Sequence, residues 1–314
     1  RATLRLLAPA RAVARVVSPE VEGVRCRGHR ERILARRAAA DHVTGRSFPK
    51  SSTTPVRTKR VRGVVGRSRG RTGGAYGEHM TGAILKLLDK FGHERPLPEP
   101  LPGDPVPTFR AWFDEAVREK KQDNPNCMYL ATCTGDGRPS VRTVLCKAID
   151  PATGGIEFYT NYQSRKAGEI EQVWRAAILF HWDNKDRQVR LEGPVMRVSG
   201  EESDAYFRSR RWESRLGAWA SDQSRPIASR KELLEKIGRT VDRLGLDALG
   251  LLAGRDVEIP RPAHWGGYRL MPERLELWQG GVGRVHDRAV WARDVRVEGS
   301  AWSVGAWSGT RLQP

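Results

Sequence analysis

The chain has 314 residues, enough for one large domain or two small ones, and 39% of them are hydrophobic, so a packed core is available. No run of about 18 apolar residues occurs, which excludes a membrane-spanning helix. The four cysteines (Cys26, Cys127, Cys133, Cys146) form no CxxC pair, which argues against a disulfide scaffold or zinc ribbon and fits a reducing, cytoplasmic setting.

Charge is unevenly spread. The 55 Lys+Arg and 37 Asp+Glu give a net +18, yet residues 1–80 hold 19 of the basic and only 5 of the acidic side chains. That quarter has too little bulky apolar surface to offset ordering entropy, so residues 1–79 are expected to be disordered. Three readings of it stay open. Its Arg-rich, acid-poor start fits a mitochondrial transit peptide, and its RTKRVRG and GRSRGR clusters fit polyanion binding by counterion release. The third is upstream sequence without function, ahead of a start at Met80. The rest of the chain is nearly balanced, which argues against nucleic acid as its partner.

Residues 80–103 begin with TGAILKLLDKFG, where Ile84, Leu87, Leu88 and Phe91 have helical spacing. ERPLPEPLPGDPVP then places six prolines in fourteen residues, which forbids helix and marks an extended linker. A domain over 104–314 follows. Asp104-Pro105 opens a helix with Phe109, Trp112, Phe113 and Ala116 on one apolar face. MYLATCT, the turn GDGRP and SVRTVLCKAI read as a β-hairpin, and IEFYTNY as a third strand. A helix starts at Ser164, with basic residues in its first turn. AAILFHW and RQVRLEGPVMRVS are strands; ESDAYFRSR and SRKELLEKIGRTVDRL are helices. Strands in WGGYRLMPERLELWQGG and VHDRAVWARD close the pattern. The fold class is α+β, an antiparallel barrel with peripheral helices.

GxGxxG, Walker A, HExxH and GxSxG motifs are all absent, and the histidines lack metal-ligand spacing, so no metal site is expected. What stands out is an excess of cationic and amide groups in strands: Arg142, Lys147, Arg187, Gln188, Arg284, His286 and Arg288. A half-buried cation is costly unless it meets an anion. Alternation puts Arg142 and Cys146 on one side of their strand, and Lys147 with Thr143 and Leu145 on the other. Arg165-Lys166 at a helix N-terminus opposes the helix dipole, an arrangement that makes sense if a phosphate docks there.

YLATCTGDGRPSVRTVLCK, FYTNYQSRKAGEI, RQVRLEGPV, YFRSRRWESRLGAWASDQS and WGGYRLMPERLELWQGGVGRVHDR occur in that order. Together, from about Asp104 to the terminal RLQP, they resemble the pyridoxamine 5'-phosphate oxidase family. The resemblance implies an FMN-binding split β-barrel that forms a homodimer with FMN at the subunit interface. The implied reaction oxidises pyridoxamine or pyridoxine 5'-phosphate to pyridoxal 5'-phosphate and reduces dioxygen to hydrogen peroxide.

Carried over by motif, Arg142, Thr143, Val144, Leu145, Cys146 and Lys147 would run along the flavin. Tyr159, Thr160, Arg165, Lys166 and Gln188 would continue the FMN site, with Gln223, Ser224, Trp278 and Arg288 from the other subunit. Lys147, Tyr206, Arg210 and Ser214 would hold the substrate phosphate, and Arg284 and His286 would act on the substrate ring as the catalytic pair. Two phosphates call for two cationic cradles, and the chain supplies two. Trp182, Trp219 and Trp265 read as packing residues, and Cys146 as an inert strand residue.

The chain departs from the family pattern at several places. Arg211 and Arg215 stand where the family usually has Pro and Gln, and Leu277 replaces an aromatic. The family's Arg-x-x-Tyr lid segment has no match ahead of Leu101, and DALGLLAGRD lengthens a linker. Two alternatives remain beside the leading reading. One is a related oxidase acting on another substrate, such as a phenazine precursor; the other is a non-enzymatic flavin- or nucleic-acid-binding protein.

Overall fold

A computed structural model of the chain describes residues 96–314, apart from 254, 256, 299 and 300. The readings for 1–79 and for the helix around Ile84 lie outside these residues. The described part of the Pro-rich segment is extended, but it is fastened to the domain. Leu97 is buried and its N–H donates to Asp287 Oδ2 at 2.7 Å, while Pro102 O accepts the indole N–H of Trp291 at 2.8 Å.

Helix α1 (Val106–Glu119) starts where Asp104 Oδ1 accepts the Val106 N–H, and ends at Lys120 in the left-handed conformation. Its buried Phe109, Trp112 and Ala116 form the expected apolar face. Strands β1 (Cys127–Cys133) and β2 (Pro139–Leu145) make the expected hairpin, with Leu130 opposite Arg142. The second strand was expected to continue through Lys147. Instead it stops at Leu145, because the chain changes partner there. Cys146 N–H bonds to Asn126 O and Lys147 N–H to Glu157 O, each at 2.9 Å, and β3 (Ala148–Ile149) pairs with β4 (Ile156–Asn161). Lys147 therefore does not share a strand face with Thr143 and Leu145.

Helix α2 (Arg165–Val173) is capped by Ser164, and β5 (Arg175–Trp182) and β6 (Arg187–Arg197) follow. Helices α3 (Gly200–Arg208), α4 (Trp212–Ala220), α5 (Arg230–Arg243) and α6 (Ala248–Leu252) form the peripheral layer. Strands β7 (Trp265–Leu270), β8 (Arg274–Gln279) and β9 (Asp287–Ala292) match expectation. Three further strands were not anticipated: the hairpin β10 (Val295–Glu298) and β11 (Ala301–Val304), and β12 (Ser308–Leu312).

The main sheet runs β12-β9-β8-β6-β5-β1-β2, all antiparallel, and β6 also pairs with β7, which carries β4 and β3. Strand β6 is thus the shared spine of a split barrel: Arg187–Glu192 pair with β8 and Val195–Arg197 with β7. The switch falls at Gly193, where a Cβ would lie 2.0 Å from Met271 O, so only glycine allows the two backbones to pass. Phe109, Phe180, Trp182, Leu191 and Trp291 fill the main core, each contributing about 1.5–3 kcal/mol by leaving water. A second cluster (Phe207, Leu216, Ile259, Trp265) lies under the peripheral helices. Among the described residues no helix is long and apolar enough to cross a membrane.

Candidate active site

The first cationic group forms where α2 meets β1, β2 and β4. Burial alternates along β2, so Arg142 and Val144 turn inward while Thr143 and Leu145 face the exposed side. Arg142 donates to Leu130 O at 3.0 Å, to Thr132 and Ser140 hydroxyls, and to Glu169 Oε2 at 3.1 Å. Arg165, one helical turn before Glu169, donates its Nε–H to Oε1 at 2.8 Å. Lys166 is buried, and its ammonium reaches Thr160 Oγ1 (3.0 Å), Ser164 Oγ (3.2 Å) and Gln223 Oε1 (2.6 Å). Burial and the nearby Arg142 charge lower the Lys166 pKa to about 8.

Three cations and one carboxylate leave this cradle with a net charge of about +2 at a helix N-terminus. That set matches a phosphate monoester dianion, with hydroxyl and amide groups of Thr160 and Gln223 beside it. The resemblance assigned Gln223 to the partner subunit. Here its Oε1 accepts from Lys166 and Thr160 of its own chain, while the neighbouring Ser224 is exposed and held at φ 71.

A second cationic group surrounds an aromatic column. Tyr159 stacks on Tyr206 with centroids 4.0 Å apart, and on Trp265 at 5.6 Å. Lys147 Nζ sits 5.5 Å from the Tyr206 ring centroid, and the Arg210 guanidinium 4.6 Å from Trp265. Ser214 lies in the first turn of α4, exposed, with its N–H on Arg211 O. Arg208, Arg210, Arg211, Arg215 and Arg255 line one depression of about 440 Å³, with Arg211 paired to Glu213.

The remaining candidates form a third group. Gln188, Trp278 and Arg288 are successive register partners across β6, β8 and β9, which explains how residues a hundred positions apart share one row. Arg288 is locked by a fork onto the buried Glu276 (3.0 and 2.7 Å). His286 packs on Trp278 at 4.7 Å and its Nδ1 accepts the Gly281 N–H at 3.1 Å. The neutral ring therefore carries its proton on Nε2. Arg284 is exposed at φ 65, a left-handed conformation that non-glycine residues adopt at a cost and that is common at functional sites. Cys146 is buried with its Sγ toward Ala148 O; burial pushes its thiol pKa well up, so it is inert. No group of metal ligands exists among the described residues.

Sequence reasoning missed Glu169. Its spacing from Arg165 was visible, but a carboxylate four residues from an arginine on a helix reads as an ordinary surface pair.

These features define a split-barrel protein with separate cationic groups suited to phosphorylated ligands. Residues 113–241 match the family described as pyridoxamine 5'-phosphate oxidase, and residues 265–314 match the pyridoxine 5'-phosphate oxidase C-terminal dimerisation region. A pyridoxine/pyridoxamine 5'-phosphate oxidase of Rubrobacter xylanophilus is 49% identical over 211 residues, which is 67% of this chain and 87% of the relative. The protein of the same name from Gluconobacter oxydans is 46% identical, covering 68% and 96%. PhzG of Burkholderia lata, solved with tetrahydrophenazine-1-carboxylic acid, superposes with a TM-score of 0.57 at 29% identity, over 68% of this chain and 94% of its own. An FMN-binding protein of Nostoc punctiforme shares the fold at a TM-score of 0.51 and 19% identity, covering 67% and 98%. The chain belongs to the pyridoxamine 5'-phosphate oxidase family of oxidoreductases.

Proposed function

We propose that the protein oxidises the 4′ carbon of pyridoxine or pyridoxamine 5'-phosphate to the aldehyde of pyridoxal 5'-phosphate, with FMN as cofactor and dioxygen as final acceptor, releasing hydrogen peroxide. The observation that carries this reading is the presence of two cationic groups, one centred on Lys166 and one around the Tyr159–Tyr206–Trp265 column, one for each of two phosphates. Arg142, Thr160, Arg165, Lys166 and Gln223 hold the cofactor phosphate. Lys147, Tyr206, Arg210 and Ser214 hold the substrate phosphate. FMN, when bound, would supply the two-electron redox chemistry that links substrate oxidation to dioxygen.

The protein's part is positioning and exclusion of water. Arg284 and His286 act on the substrate ring, and the Nε2–H of His286 donates a hydrogen bond to a substrate oxygen or nitrogen. Gln188, Ser224, Trp278 and Arg288 complete the flavin site across a dimer interface. Dimerisation is supported by the C-terminal region and by the exposed Tyr129, Val141 and Leu145 on the outer face of β1 and β2. Residues 104–314 form the oxidase domain and residues 1–79 are dispensable for its chemistry. Free thiols at Cys127, Cys133 and Cys146 support a reducing, cytoplasmic setting.

The test is purification, an absorption spectrum and a substrate panel. The expected protein is yellow and releases hydrogen peroxide with pyridoxine 5'-phosphate. A colourless protein that FMN cannot reconstitute overturns the reading, and turnover only of a phenazine precursor replaces it with a PhzG-like one.

A further inference from the structure

Glu169 is the one carboxylate inside the first cradle, and its side chain is only 3% exposed. It sits among groups that otherwise favour anions, so its presence needs a reason. Four donors converge on it from three elements: Thr132 of β1, Ser140 and Arg142 of β2, and Arg165 of its own helix α2. Burial alone would push its pKa up, but the bonds from Ser140, Thr132, Arg165 and Arg142 hold it down at about 2, so the group is charged at every working pH.

We propose that Glu169 is the positioning residue of the phosphate cradle, fixing Arg142 and Arg165 relative to each other and trimming three positive charges to the two that a phosphate monoester dianion matches. The geometry has a specific consequence. Arg142 and Arg165 arise on separate elements, a strand and a helix, and the Glu169 carboxylate is their common acceptor. Without it the two guanidinium groups repel and their forks turn apart. Glu169 touches neither cofactor nor substrate; it acts through the arginines.

The inference rests on the proposed FMN site, and its sign separates it from a simple charge effect. Removing a negative charge beside an anion site tightens anion binding by Coulomb attraction alone. A positioning role predicts the opposite.

The experiment compares FMN and riboflavin, which lacks the phosphate, by fluorescence titration of flavin-stripped full-length protein. For Glu169→Gln, FMN affinity is expected to fall about tenfold or more while riboflavin affinity stays within twofold. Ser140→Ala keeps every charge and removes one donor to Glu169 together with one acceptor of Arg142, loosening the same Glu169–Arg142 linkage; it is expected to weaken FMN about threefold, again sparing riboflavin, and it stands in if Glu169→Gln does not fold. Equal weakening of both flavins, or tighter FMN binding in Glu169→Gln, overturns the inference while leaving the cofactor assignment intact. Wild-type protein that binds FMN no better than riboflavin overturns both.

Discussion

Tyr206 lies flat against Tyr159, ring centroids 4.0 Å apart, and this contact joins helix α3, which carries Tyr206 of the second cationic group, to strand β4, which carries Thr160 of the first. Tyr159 has room there because its register partner on β7 is Gly267, where a Cβ would come within 2.7 Å of the Tyr159 ring and 2.6 Å of Val198. Gly267→Ala is therefore expected to push the column out of line. Overpacking of this kind costs about 1–3 kcal/mol, seen as a lower Tm, and displacement of Tyr206 should raise KM for the phosphorylated substrate more than it lowers kcat. An unchanged Tm and KM would show that the column gives way without consequence.

The two cradles should separate in mutants. On the proposed assignment Arg165→Ala removes one charge-assisted contact to the cofactor phosphate, worth about 1.5–3 kcal/mol, with the lower end expected because its side chain is 63% exposed. FMN affinity should fall about tenfold. Arg284→Ala should leave FMN affinity alone and cut turnover at saturating flavin, since Arg284 lies outside the first cradle. Equal FMN loss in both variants, measured by titration, would refute the division.

Much of this arrangement is legible in the chain. Arg142, Arg165 and Lys166 announce themselves as cations in places where local structure disfavours them. The strands that carry Gln188, Trp278 and Arg288 are legible too, but not their register: the resemblance puts Gln188 with Arg165 and Lys166 and the other two on the partner subunit, whereas all three form one row of this chain. The break after Leu145 is not legible, because Cys146 and Lys147 keep a plausible strand texture. What ends the strand is a change of partner from β1 to β4, decided by hydrogen bonds to Asn126 and Glu157 that are distant in sequence. Gln223 is another such case: it lies 57 residues from Lys166, in a stretch with no regular pattern. Strands β10 to β12 are only four or five residues long, too short for a clear periodicity.

Flavin binding should depend on alkaline pH through Lys166. Its pKa is lowered by burial and by Arg142 to about 8 before FMN binds, and a bound phosphate dianion must raise it. Near pH 7 the ammonium is charged in both states, so Lys166 adds no pH dependence there. Above pH 8 binding has to take up a proton, so the FMN Kd should rise, by up to about tenfold per pH unit, until the pKa of the bound state is passed. Lys166→Arg keeps its charge throughout and should flatten the profile. Titrations between pH 7 and 10 decide it; a flat wild-type curve would assign Lys166 a purely structural part.

Acid stability should be governed in part by Glu115, which fastens α1 to the sheet. Its carboxylate meets Lys185 Nζ at 3.0 Å and Arg187 Nη1 at 2.6 Å, and Arg187 in turn lies over Trp112 and bonds Gln279 at 2.8 Å. The Lys185 hydrogen bond, followed by the bond and charge of Arg187, outweighs burial and lowers the Glu115 pKa to about 2. A carboxyl with a depressed folded-state pKa stabilises fully above its unfolded value near 4.5, and that contribution disappears as pH falls through the folded value. Unfolding free energy from urea titrations should therefore drop between about pH 5 and 2 in the wild type. Glu115→Gln should be less stable by about 2–3 kcal/mol at pH 7, the scale of hydrogen bonds to charged groups, and should show a shallower acid slope. Parallel pH curves for the two proteins would mean that Glu115 is not the group whose protonation loosens α1.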